Sequence, residues 1–190
     1  MANTWLVVGL GNPGPTYALN RHNIGARVIE ALASEANAKL SKHKRTQALV
    51  AELKIAANQL IVAQPTSFMN ESGGPTKALA NFYKVSPEHL IVLHDELDIE
   101  LGAIRIKFAG GDNGHNGLKS IRKSLGTGDW YRVRLGIGRP PGQQDPADFV
   151  LRNFASSEQA IVQDLIARGS DAVIQLVTTS LEETQNRFNS

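Results

Sequence analysis

The side chains of this sequence best suited to chemistry are His22, Asp95 and three asparagines, Asn12, Asn70 and Asn116. An imidazole accepts a proton near neutral pH with little tuning, so His22 is the natural candidate for a general base. It stands where a helical pattern begins, and a helix N-terminus would disfavour imidazolium and keep the base form available. Asp95 would fix the ring tautomer by accepting from the other nitrogen. No serine or threonine stands out as a nucleophile, so the base would activate water. The asparagines offer amide donors and acceptors without titrating, which suits placing a carbonyl and stabilising the oxyanion formed on attack. Each residue taken singly also has a structural reading, since asparagines beside glycines commonly form turns.

Two other chemistries are suggested and then weakened by context. Gly9, Gly11 and Gly14 fit the spacing G-x-G-x-x-G of a dinucleotide site. In that fingerprint the second glycine opens a helix whose amides hold the pyrophosphate. Here Asn12-Pro13-Gly14-Pro15 is turn chemistry, and the helical pattern starts only at Ile24. The run His94-Asp95-Glu96-Leu97-Asp98 invites a metal, but it lacks the i, i+4 histidine pair of a zinc helix. Neither a cofactor nor a metal is expected.

These residues must be positioned by strands and helices, and the pattern alternates between the two. Apolar or alternating runs predict strands over residues 6–8, 48–55, 60–63, 90–93, 103–108 and 131–137. Helical spacing predicts helices over about 23–38, 74–83, 116–125 and 156–181, with Pro75 at the first helical position and Ser156 and Gln159 as a capping box. Residues 148–151 read as extended or turn-like. The expected fold is a single α/β domain over residues 1–190, a twisted mixed β-sheet flanked by helices, mixed because at least one hairpin interrupts the alternation. In such folds ligands gather beyond the carboxyl ends of parallel strands. Asn12, Asn70, His94-Asp95 and His115-Asn116 each follow one strand, so parallel strands would bring all four clusters to one edge.

The 190 residues are 42% hydrophobic and 20% charged with a net charge of +2, an ordinary globular balance. Cysteine is absent, which excludes disulfides and thiolate chemistry and suits a reducing cytoplasm. The N-terminus has no basic run and the 5–10 stretch is too short for a signal or membrane segment, so a cytoplasmic protein without membrane contact is expected. Residues 105–139 carry eight basic side chains against Asp112 and Asp129, a local balance of +6. A polyanion would be held there if those side chains share a face. A second basic run, Lys39 to Arg45, connects the first helix to the next strand.

Six blocks taken together resemble the bacterial-type peptidyl-tRNA hydrolases: VGLGNPGPTYALNRHNIG (8–25), PTSFMNESG (65–73), LIVLHDELDIELG (90–102), GGDNGHNGLKSI (110–121), RVRLGIGRPPG (132–142) and DFVLRNF (148–154). The resemblance implies a cofactor-free, monomeric α/β enzyme that cleaves the ester joining a peptide to the 3′ end of tRNA. Carried over by position, it implies His22 as catalytic base, Asp95 as its support and Asn12, Asn70 and Asn116 as substrate-positioning groups. It also implies Tyr17, Met69 and His115 in the cleft wall, and Lys107 with Arg134 as a pair on a tRNA phosphate. Two departures stand out. Asn113 replaces a glycine of the glycine-rich loop, and Gln143-Gln144 stand where many relatives carry a lysine. Asparagine tolerates left-handed backbone, so the loop is expected to survive with altered mobility. An RNA-binding module that lost catalysis, a nicotinamide enzyme and a metal-dependent hydrolase are the alternatives.

Overall fold

The apolar runs form the strands that the pattern demands. They are β1 (Thr4–Gly9), β2 (Ser41–Lys42), β3 (Ala48–Ile55), β4 (Asn58–Pro65), β5 (Leu90–Glu96), β6 (Ile104–Phe108) and β7 (Tyr131–Gly136). In the computed structural model, which describes residues 2–189, they make one mixed sheet of order β2-β3-β4-β1-β5-β7-β6. β4, β1, β5 and β7 run parallel, and antiparallel β3 and β6 flank them. β1 and β5 are buried almost throughout because helices cover both faces, which explains why they read as unbroken apolar runs.

The helices are α1 (Ile24–Glu35), α2 (Gly73–Tyr83), α3 (Asn116–Leu125), α4 (Pro146–Val150), α5 (Gln159–Thr178) and α6 (Leu181–Phe188). On one face Val7, Ile91, Leu93 and Val133 pack against Val28 and Leu32 of α1 and Leu165 and Val173 of α5. On the other, Leu6, Val8 and Val92 meet Leu79 of α2, Leu118 and Ile121 of α3, and Trp130. Gly9 of the fingerprint and Gly25 serve this packing. A Cβ on Gly9 would lie 2.3 Å from the Gly25 carbonyl oxygen, and one on Gly25 would lie 2.2 Å from that of Leu93. Both glycines let α1 press against β1 and β5 and so seat its first turn at the strand ends.

Several expectations need correction. β6 runs antiparallel to β7, so the fourth polar cluster does not follow a strand pointing at the common edge. The glycine-rich loop 109–115 instead runs back along the sheet: Ala109 bonds to the Trp130 carbonyl at the start of β7, and His115 bonds to Asp95 near the end of β5. The first helix is preceded by a 3-10 turn over Arg21–Asn23 and ends at Glu35. Residues 148–151 belong mostly to the short helix α4, capped by Asp145 with Pro146 at its first position. The helix after Ser156 ends at Thr178, where Ser180 caps the separate α6. The capping interaction there also moves by one residue, with the Glu158 carboxylate accepting the Ala155 N–H at 2.7 Å. Among the described residues no helix is long and apolar enough to cross a membrane.

Candidate active site

The 3-10 turn just before α1 carries His22, and the C-terminal end of β5 carries Asp95. His22 Nδ1 lies 3.0 and 2.9 Å from the two carboxylate oxygens of Asp95. Asp95 Oδ1 is also 2.8 Å from Nε2 of His115. His115 is the N-cap of α3, and its Nδ1 accepts the Gly117 N–H at 3.1 Å. Its proton therefore sits on Nε2 and is donated to Asp95. Asp95 is thus clasped by two histidines and is itself 3% exposed. Burial would push its carboxyl up, but the two imidazoles outweigh that and hold it far below the usual carboxylate range.

With Nδ1 of His22 donating to Asp95, its Nε2 is left as the base. Burial disfavours the imidazolium of His22, while the charge and hydrogen bonds of Asp95 favour it more, so its pKa is raised above the ordinary histidine value. This corrects the expectation that the helix terminus would keep it low: the carboxylate dominates. His94 behaves oppositely. Fully buried, with Nδ1 on the Asp95 carbonyl at 2.8 Å, it is pushed down to about 3, chiefly by burial and secondly by His115.

His22 faces two adjoining lobes of one cleft. The first, about 340 Å³, is walled by Asn12, Phe68, Met69, Asn70, Asn116 and residues of α4. The second, about 270 Å³, lies between the glycine-rich loop and α4 and includes Asp95, His115 and Asn116. His22 and Asn116 border both. Asn12 is fixed by a reciprocal pair: its N–H donates to Asn23 Oδ1 at 2.9 Å and its carbonyl accepts from Asn23 Nδ2 at 2.9 Å. The Asn12 side-chain oxygen accepts the Met69 N–H at 2.7 Å, which leaves its amide nitrogen as the donor available to the cleft. Among the described residues, Asn70 and Asn116 make no side-chain hydrogen bonds within the protein, so both amides are open to a ligand.

Other candidates fall out of the cleft. Tyr17 is half-buried on the loop before the 3-10 turn and does not line either lobe. Lys107 and Arg134 sit on β6 and β7, where alternation turns them away from the face that buries Ile106 and Val133. Arg134 pairs with Glu96 at 3.2 Å, and Lys107 is held below the ordinary lysine value by burial, then by Arg134. The basic 105–139 segment does not act as one surface. Arg132 is 1% exposed, stacked 3.6 Å over Trp130, and spent on the carbonyls of Gly128, Trp130 and Gly110. Lys119 and Lys123 border a separate groove that also contains Asn70 and Asn116.

Asn113 takes the left-handed backbone expected of it, with φ +46°. Its amide donates to Glu96 at 2.7 Å and to Asp98 at 2.6 Å, tying the glycine-rich loop to the end of β5. Asp98 also pairs with Arg139 at 2.6 Å. His22, Asp95 and His115 place their donor atoms within 4.8 Å of one another, a spacing also open to a metal. Both histidine N–H groups aim at the carboxylate, so hydrogen bonds already account for the cluster.

A family model described as peptidyl-tRNA hydrolase matches residues 6–190. The chain belongs to the peptidyl-tRNA hydrolase family. A peptidyl-tRNA hydrolase of Frankia alni is 55% identical over 98% of this chain and 94% of its own length. That of Streptomyces coelicolor is 53% identical over 98% of this chain and 95% of its own. The crystal structure of peptidyl-tRNA hydrolase from Acinetobacter baumannii superposes with a TM-score of 0.92 at 33% identity, covering 98% and 95% of the two chains. The mixed sheet flanked by helices is therefore the architecture of this family, as the sequence blocks implied.

Sequence reasoning missed Asn23 and the α4 wall. Asn23 is buried and polar at a helix start, a signal that a partner must exist. The Asp145-Pro146 pair carries the cap signature of α4.

Proposed function

We propose that this protein hydrolyses the ester joining a peptide, or an N-blocked amino acid, to the 3′ end of tRNA, releasing the tRNA for reuse. The observation that carries the reading is the chain His115, Asp95, His22 ending on a free Nε2 at the waist of the cleft. His22 takes a proton from water, the resulting hydroxide attacks the ester carbonyl, and the same nitrogen then returns a proton to the departing ribose oxygen. Asp95 stabilises the imidazolium formed between those steps. The amide nitrogen of Asn12 stabilises the oxyanion, and Asn70 and Asn116 hold the peptide carbonyls. Met69 forms an apolar floor, and His115 positions Asp95 from the far side. Lys107 and Arg134 hold a phosphate of the acceptor stem, fixing the RNA without reading its sequence. Neither cofactor nor metal enters the reaction. The enzyme acts as a monomer, in the cytoplasm where charged tRNA is found.

The test is release of a labelled N-acetyl-aminoacyl group from tRNA in excess chelator. Release by wild type supports the reading. Tight tRNA binding without release would make the protein an RNA-binding module, and loss of release on chelation would make it a metal-dependent hydrolase.

A further inference from the structure

The basic run Lys39 to Arg45 takes no part in the site described above. It folds as the connector that carries β2 and, with the end of α2, encloses a groove of about 700 Å³. The groove shares no lining residue with either lobe of the cleft. It lies by the β2–β3 edge of the sheet, across from Lys107 and Arg134 at the β6–β7 edge.

Four cations line it: Lys39, Lys42, Lys44 and Arg45. All are exposed, and among the described residues none takes part in an ion pair. Glu52 is the one acidic residue of the lining. The wall opposite is aromatic. Phe82 is 48% exposed and lines the groove. Its ring is held by Tyr83 at 4.8 Å and by His43 at 4.7 Å between ring centroids, both at steep angles between the ring planes. His43 is itself held on two sides, its N–H on the Ala48 carbonyl at 2.9 Å and its Nδ1 accepting the Arg45 N–H at 3.2 Å. That leaves Nε2–H of His43 as a donor at the groove.

We infer that this groove is a second RNA site that takes a short unpaired segment, its phosphates on Lys39, Lys42, Lys44 and Arg45 and one base stacked on Phe82. A row of cations beside a preorganised aromatic face is what single-stranded nucleic acid requires, because every base has a π-face and every linkage a charge. A concave groove suits a nucleotide better than a flat bilayer surface, and an acidic peptide would leave the ring without a partner. The inference goes beyond the hydrolytic reading and does not depend on the cleft.

The experiment is fluorescence anisotropy of a labelled, unstructured ten-nucleotide RNA with the full-length protein across a salt series. Lys42→Ala/Lys44→Ala/Arg45→Ala should weaken binding by at least tenfold and reduce the salt slope by about two. Phe82→Ala should weaken it about tenfold at unchanged slope, while Phe82→Trp should keep it. Competition by an abasic phosphodiester chain of the same length should be weak. Equal binding of the abasic chain, with Phe82→Ala silent, would mean a general polyanion patch and overturn the proposal. Equal competition by an acidic peptide would point to a protein partner and overturn it too. Failure of the wild type to bind, or loss of binding only in Lys107→Ala/Arg134→Ala, would do the same.

Discussion

His22 and Asp95 are joined by a forked contact, with one imidazole nitrogen 3.0 and 2.9 Å from the two oxygens of one carboxylate. The fork fixes both the tautomer and the tilt of the ring, and it raises the affinity of the ring for a proton. A base must be neutral to act, so activity should fall as pH drops through the raised pKa of His22. The acid limb of kcat/KM should therefore bend above the ordinary histidine value of about 6.5.

Replacing Asp95 by Asn removes the charge that raises His22. Turnover at neutral pH should drop by about 10²–10⁴-fold, and the acid limb should move to lower pH. A pH–rate profile of Asp95→Asn measures both. An unshifted limb would mean that His22 is not the titrating group.

Asn23 is predicted to matter without touching substrate. Asn23→Ala leaves the backbone N–H and C=O of Asn12 unpaired, a cost of about 1–3 kcal/mol. Thermal melting should fall by several degrees, at roughly 2–4 °C per kcal/mol for a chain of this size. Turnover should fall as well, because Asn12 is no longer held. A variant that melts normally and turns over normally would show that the pair is incidental.

The phosphate pair gives a kinetic signature. Lys107→Ala should raise KM, leave kcat nearly unchanged and lower the salt dependence of kcat/KM by about one unit of slope. Arg134→Ala should do the same and also destabilise the fold, because Glu96 is 3% exposed and loses its cation.

Acid stability depends on groups that pull in opposite directions. His94 has a lowered folded pKa, about 3, so its contribution is intact above the unfolded value of about 6.5 and is lost as pH falls towards 3. Asp95, also lowered, loses its contribution below the ordinary carboxylate range. His22, raised, contributes fully below about 6.5 and loses that contribution as pH rises through its folded value. His94→Phe should therefore flatten the decline of denaturant stability between about pH 6.5 and 4, which urea titrations at several pH values would detect.

The sequence made some of this legible and hid the rest for physical reasons. Buried parallel strands such as β1 and β5 announce themselves as apolar runs, and His22 and Asp95 stood out as a base and its orienter. The direction of β6 left no trace, since alternation in Ile104–Phe108 is the same whichever way a strand runs. The return path of the glycine-rich loop follows from that direction and was hidden with it. The charge of residues 105–139 was visible, but not its division: Arg132 is spent on buried carbonyls while Lys107 is only half-buried. The upward pKa of His22 depends on a carboxylate 73 residues away, beyond the reach of a local helix-terminus argument.

The central claim is that Nε2 of His22 activates water. It is tested most directly by single-turnover hydrolysis of N-acetyl-aminoacyl-tRNA by wild type and His22→Ala at saturating enzyme, with tRNA affinity and melting temperature measured in parallel. A loss of at least about 10²-fold in the chemical step, with affinity and melting nearly unchanged, is the result expected of a missing general base. A His22→Ala rate within a few fold of wild type would contradict the account.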